Sequence, residues 1–143
     1  MSILTAVVEE LVFRGVLLRA FLKRLSAHKA ILATSAVFAL LHMLPIGMSA
    51  EAPGGMALAV LSLLLKGAQA FAFGAIMAAI VLRDGNLPIV MALHAFFDAL
   101  YFAVPVLATA AFPDTYIAVA PEQLLPVVLS ALVLLPVAIL ALR

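Results

Sequence analysis

The sequence predicts an all-α fold, a polytopic transmembrane bundle of about five spans whose polar residues converge on an intramembrane cavity. Three observations carry that prediction. Hydrophobic residues make up 68% of the 143-residue chain and charged residues 10%, with a mean hydropathy of +1.33. Soluble domains run about half apolar and about a quarter charged, and a water-soluble fold of this size has too little interior for so much apolar surface. The apolar residues also fall into continuous runs near the length that crosses a bilayer, without the two-residue alternation of a membrane barrel. Finally, Lys and Arg segregate to alternate connectors, as a multi-pass topology requires.

The chain reads as one domain, 1–143, with spans at Ser2–Arg24, Lys29–Leu44, Met56–Leu82, Leu87–Leu107 and Gln123–Leu142. The second is short for a span. Met1–Val8 is apolar but lacks a basic n-region and a small-residue cleavage site before Glu9 and Glu10, so it does not read as a cleaved signal peptide. That abrupt start fits a short chain or a fragment lacking upstream helices. Pro45-Ile46-Gly47 and Pro53-Gly54-Gly55 bracket the second connector, and Asp84-Gly85-Asn86-Leu87-Pro88 makes a tight turn at the third. Phe112-Pro113-Asp114 and Pro121 mark the fourth.

Arg19, Lys23, Arg24 and Lys29 cluster at the first connector, Arg83 sits at the third, and Arg143 closes the chain. The second and fourth connectors carry Glu51, Asp114 and Glu122 with no Lys or Arg. The C-terminus is therefore expected on the cytoplasmic side of the membrane, a prokaryotic plasma membrane, with the N-terminus outside. A net charge of +1 gives no nucleic-acid footprint, and the absence of Cys excludes disulfides and thiolate metal sites.

Ionisable groups at bilayer depth are costly and normally face a cavity or a partner. Here they are Glu9, Glu10, Arg14, His42, Lys66, His94 and Asp98. Glu10 and Arg14 are four residues apart and share a helix face, so they pair. Glu9 lies about 100° around the helix and is left without that neutralisation, a reactive-group candidate. A lone His42 is more often a hydrogen-bonded core residue than a catalyst. His94 and Asp98, again four apart, share a face on another helix, where Asp98 can orient the imidazole or serve only as a structural partner. Together they are an expensive concentration of polarity. Peptide hydrolysis needs a base for water and donors for an oxyanion, which Glu9 with His42 and His94 with Asp98 can supply. Lys66 is expected to snorkel, Gln69 carries no assigned chemistry, and His28 is an interfacial residue.

At these residues the sequence resembles the CAAX protease and bacteriocin-processing family, also called CPBP or Abi proteins. The motifs E-E-x-x-x-R, F-x-x-x-H and H-x-x-x-N match Glu9–Arg14, Phe38–His42 and His94–Asp98 in order, with Asp98 standing where Asn is typical. The resemblance implies a helical intramembrane endopeptidase with a core at about 1–107, followed by a final span at 123–142. Carried over, Glu9 and His42 activate water, His94 and Asp98 face the oxyanion, and Glu10, Arg14 and Phe38 support the site or touch substrate. The implied partners are the lipid bilayer and a peptide or prenylated-protein substrate. No cofactor is required, although Glu9, His42, His94 and Asp98 are also a possible divalent-metal set. The competing functions are a non-catalytic self-immunity or scaffold protein of the same fold, and a proton or cation carrier. One depth count conflicts with a single site. Glu9 and His42 each lie about 20 Å from the cytoplasmic basic residues, whereas His94 lies only about 15 Å from Arg83; a turn dipping into the bilayer or strong helix tilt would reconcile them.

Overall fold

A computed structural model describes residues 2–44, 55–109 and 124–143. The connector residues Pro45-Ile46-Gly47, Glu51, Pro53-Gly54, Phe112-Pro113-Asp114, Pro121 and Glu122 lie outside the described residues. Among those described there are only helices and the turns joining them: α1 (Ser2–Glu10), a π-helical segment (Leu11–Leu17), α2 (Leu18–Leu22), α3 (Ala27–His42), α4 (Gly55–Asp84), α5 (Leu87–Thr109) and α6 (Leu124–Ala141). α1, the π segment and α2 run on as one rod, so the five expected spans correspond to five helical rods. No observed boundary differs from the expected one by more than two residues.

The helices form where they do for local reasons. α4 ends at Asp84, and Gly85 follows with φ +65°, a left-handed conformation that costs a glycine nothing. Its N–H donates to the Val81 carbonyl at 2.9 Å, closing the last turn. Asn86 Oδ1 then accepts the Ile89 N–H at 3.2 Å, and Pro88 occupies the first turn of α5, where its missing N–H costs nothing. At the same end of the bundle, His28 Nε2 meets the Leu142 carbonyl at 2.9 Å and Arg83 donates to the Ala141 carbonyl at 3.1 Å. His28, expected only to sit at the interface, thus satisfies an otherwise orphaned carbonyl at the end of α6.

α3 and α6 pack most extensively on α4, while α1 packs on α5. Residues 72–79 of α4 are buried without interruption, which makes this helix the centre of the bundle. α6 has the opposite character. Leu125, Leu129, Leu132, Val133, Val137, Ile139 and Leu140 are all exposed, a continuous apolar face suited to lipid. α4, with 30 residues and a hydropathy of 1.7, and α6, with 18 residues and 2.7, are each long and apolar enough to cross a membrane; α3 and residues Leu87–Ala103 are shorter apolar helices. The polar tie between α4 and α6 is a hydrogen bond from Gln69 Nε2 to Ser130 Oγ, 2.5 Å long.

α3 and α4 approach closely at Gly74. A Cβ placed there would lie 3.2 Å from Ser35 Cα and 3.3 Å from its Cβ, both tighter than van der Waals contact. Gly74→Val is therefore expected to destabilise the protein by about 1–3 kcal/mol through overpacking. Thermal unfolding in detergent checks this; an unchanged or raised midpoint would show that the two helices have room to spare.

Candidate active site

The site begins in the first rod. The buried positions Ala6, Glu10, Phe13, Arg14 and Leu18 trace one stripe along it. Their spacings of four, three, one and four are those of one helix face, and the later part of the stripe lies in the π segment Leu11–Leu17. The Leu18 N–H bonds the Phe13 carbonyl five residues back, so one turn takes up an extra residue. The sequence predicts a plain helix here. Motif spacing does not distinguish the two, because the Glu10–Arg14 contact survives in either.

Arg14 Nη1 lies 2.8 Å from Glu10 Oε1, and both side chains are fully buried. Arg14 Nη2 donates to the Gly74 carbonyl at 3.2 Å, and the guanidinium lies over the Phe38 ring, 4.9 Å from its centroid. Phe38 is itself buried, with its ring 4.8 Å from Phe13 and 4.1 Å from the His42 imidazole. It forms the floor beneath both the cation and the histidine, away from any surface that substrate could reach.

Glu10 also does something the sequence did not reveal. Its Oε1 lies 2.7 Å from His94 Nδ1. A carboxylate already paired with Arg14 only accepts, so the Nδ1 proton of His94 points at Glu10 and Nε2 points the other way. Asp98, considered as the residue that orients His94, does not do so: its Oδ1 is 3.7 Å from His94 Nε2, beyond hydrogen-bonding range. Glu10 holds that ring, and Phe73 packs edge-on against it at 4.8 Å. Chain neighbours could not show this contact, because Glu10 and His94 are 84 residues apart.

His42 is fixed in the same manner. Its Nδ1 lies 2.9 Å from the Phe38 carbonyl. A carbonyl only accepts, so Nδ1 carries the proton and Nε2 keeps a free lone pair. Glu9 Oε2 stands between the two imidazoles, 3.8 Å from His42 Nε2 and 3.8 Å from His94 Nε2. No described group donates a hydrogen bond to that oxygen. The side chains of Glu9 and His42 are each 26% exposed and that of Asp98 is 19% exposed, so this side of the cluster is open, whereas Glu10, Arg14 and His94 are buried behind it.

Glu9, His42, His94 and Asp98 therefore meet in one place, and the conflict in the depth count disappears. A Cβ on Gly15 would lie 3.6 Å from Leu87 Cδ2, so the start of α5 sits beside Gly15, eight residues short of Lys23. From that level Glu10 is five residues back along one rod and His94 seven residues on along the other, an antiparallel pairing that brings them to the same height. The α4–α5 turn thus sits level with Gly15 rather than with Lys23.

Lys66 also departs from expectation. It does not snorkel: it is only 6% exposed, with Nζ 4.5 Å above the Tyr101 ring. Among the described residues, no group of three or more His, Asp or Glu side chains is placed to hold a metal ion.

A family model described as Type II CAAX prenyl endopeptidase Rce1-like matches residues 1–100, a stretch that includes every residue of this cluster. No curated protein and no solved structure matches the chain. With most of its length covered by that match, the chain belongs to the Type II CAAX prenyl endopeptidase Rce1-like family.

Proposed function

We propose that this protein is a multi-pass intramembrane endopeptidase that hydrolyses a membrane-proximal peptide bond in a prenylated CAAX-type substrate, with its C-terminus in the cytoplasm. The observation that carries the reading is the position of Glu9 Oε2, without a hydrogen-bond donor among the described residues and 3.8 Å from two imidazole nitrogens. That separation is too long for a direct hydrogen bond and suits a single water held by bonds of about 2.8 Å to each side.

In this mechanism Glu9 and the Nε2 lone pair of His42 hold the water and Glu9 accepts its proton. The water oxygen bonds to the scissile carbonyl carbon, and the carbonyl oxygen becomes an oxyanion. His94 stabilises it through Nε2–H. Because Nδ1–H is committed to Glu10, Nε2 donates only when the ring carries a proton on both nitrogens. The C–N bond then breaks, and the leaving nitrogen takes the proton from Glu9. An ionised Asp98 cannot donate to an oxyanion. Its part is electrostatic, a carboxylate 3.7 Å from His94 Nε2.

The mechanism is metal-independent. The test is a farnesylated peptide ending in a CAAX sequence, presented to purified protein in proteoliposomes. Cleavage is expected from the wild type, with persistence in 1,10-phenanthroline, and His42→Ala is expected to lower the rate about 100-fold or more. Loss of cleavage on chelation, restored by added zinc, would assign the cluster to a metal instead. No cleavage by correctly folded wild type would favour the non-catalytic reading.

A further inference from the structure

Lys66 is a buried cation for which the mechanism above has no use. It lies on α4 seven residues from Phe73, so both point from one face. α5 presents His94, Phe97, Asp98 and Tyr101 at spacings of three, four and seven residues, also a single face. The two faces meet in register: Phe73 lies 4.8 Å from His94 and 4.9 Å from Phe97, and Lys66 Nζ lies 4.5 Å from the Tyr101 ring centroid. The ammonium is thereby brought to the Asp98–Tyr101 turn of α5, where Asp98 lies three residues before Tyr101 on the same face.

The charges around the cluster need such a group. Glu9, Glu10 and Asp98 bring three carboxylates into contact with one histidine, His94. Arg14 answers only one of them, through its contact with Glu10. Like charges crowded together in a low-dielectric interior repel one another, and a nearby cation offsets that cost. A tyrosine face adds a cation–π anchor that fixes the ammonium without neutralising it.

We propose that Lys66, seated on Tyr101, is the positioning cation that pairs with the charge of Asp98 beside the site. It touches no reacting atom in this scheme. Its effect passes through the charge of Asp98, so removing that charge relieves the need for the lysine. This inference rests on the hydrolase reading for its activity readout, but the charge pairing has a readout of its own.

The experiment is a double-mutant cycle of Lys66→Met, Asp98→Asn and the combination, in full-length protein, with Lys66→Arg as a charge-retaining control. Cleavage of the farnesylated CAAX peptide and thermal unfolding in detergent are both measured. Lys66→Met alone is expected to lose at least 10-fold in kcat and to unfold at lower temperature. Lys66→Met/Asp98→Asn is expected to recover both to within about threefold and a few degrees of Asp98→Asn alone, and Lys66→Arg to retain most of the activity. A double variant no better than Lys66→Met in either measurement overturns the proposal, because a lysine needed only for its bulk would not be rescued at Asp98. If the wild type cleaves nothing, the function fails while the unfolding cycle still decides the charge pairing.

Discussion

Arg14→Ala is expected to destabilise the protein by about 3–5 kcal/mol, because it leaves the Glu10 carboxylate buried with its principal counter-charge gone. The argument depends on complete burial: the Glu10 and Arg14 side chains are both 0% exposed, so water cannot replace the guanidinium. The loss also spreads. Glu10 Oε1 is shared between Arg14 at 2.8 Å and His94 at 2.7 Å, the Gly74 carbonyl on α4 loses its side-chain donor, and Phe38 loses the cation above it. Three rods are tied through this one side chain. The double variant Arg14→Ala/Glu10→Gln is expected to lose less than Arg14→Ala alone, since the orphaned charge leaves with its partner. Denaturant unfolding in micelles reads both. A single-variant loss below about 1 kcal/mol would mean that Glu10 is hydrated or neutral in the folded protein, contrary to its placement.

Glu9→Gln is expected to lower cleavage by about 10²–10⁴-fold with little change in unfolding temperature. The contrast with Arg14 follows from their surroundings. Glu9 is partly exposed and its Oε2 accepts no hydrogen bond from a described group, so neutralising it breaks no hydrogen bond at that oxygen and mainly removes the capacity to take a proton. Glu10→Gln should behave differently, losing stability as well as activity because it releases both Arg14 and His94. A Glu9→Gln variant that unfolds early but still cleaves would exchange the roles assigned to the two glutamates.

Most of this was legible from the chain itself. Continuous apolar runs and Gly-Asn-Leu-Pro punctuation located the rods, because in a bilayer the backbone has to satisfy itself helix by helix and the sequence records where each helix stops. The cost of charge at depth singled out Glu9, His42, His94 and Asp98, and these side chains do meet. What the sequence concealed is of two kinds. The π segment leaves no mark in a hydrophobic pattern, since Leu11–Leu17 reads as an ordinary helix of apolar residues around one arginine. The Glu10–His94 and Lys66–Tyr101 contacts join residues on different rods, and four-residue spacing reveals only neighbours on the same one. Lys66 illustrates the second limit well. Near the middle of an apolar run, length alone suggests an escape to the interface, and the Tyr101 ring that it meets inside lies on another rod.

The central claim is that water held by Glu9 and His42 cuts a peptide bond. The most direct measurement is mass analysis of the product when the farnesylated CAAX peptide is cleaved in H₂¹⁸O by wild type, Glu9→Gln and His42→Ala protein reconstituted side by side. The account predicts a shortened wild-type product with one ¹⁸O in its new terminal carboxyl group, and almost no product from either variant despite intact folding. Equal yields of labelled product from all three proteins would contradict it.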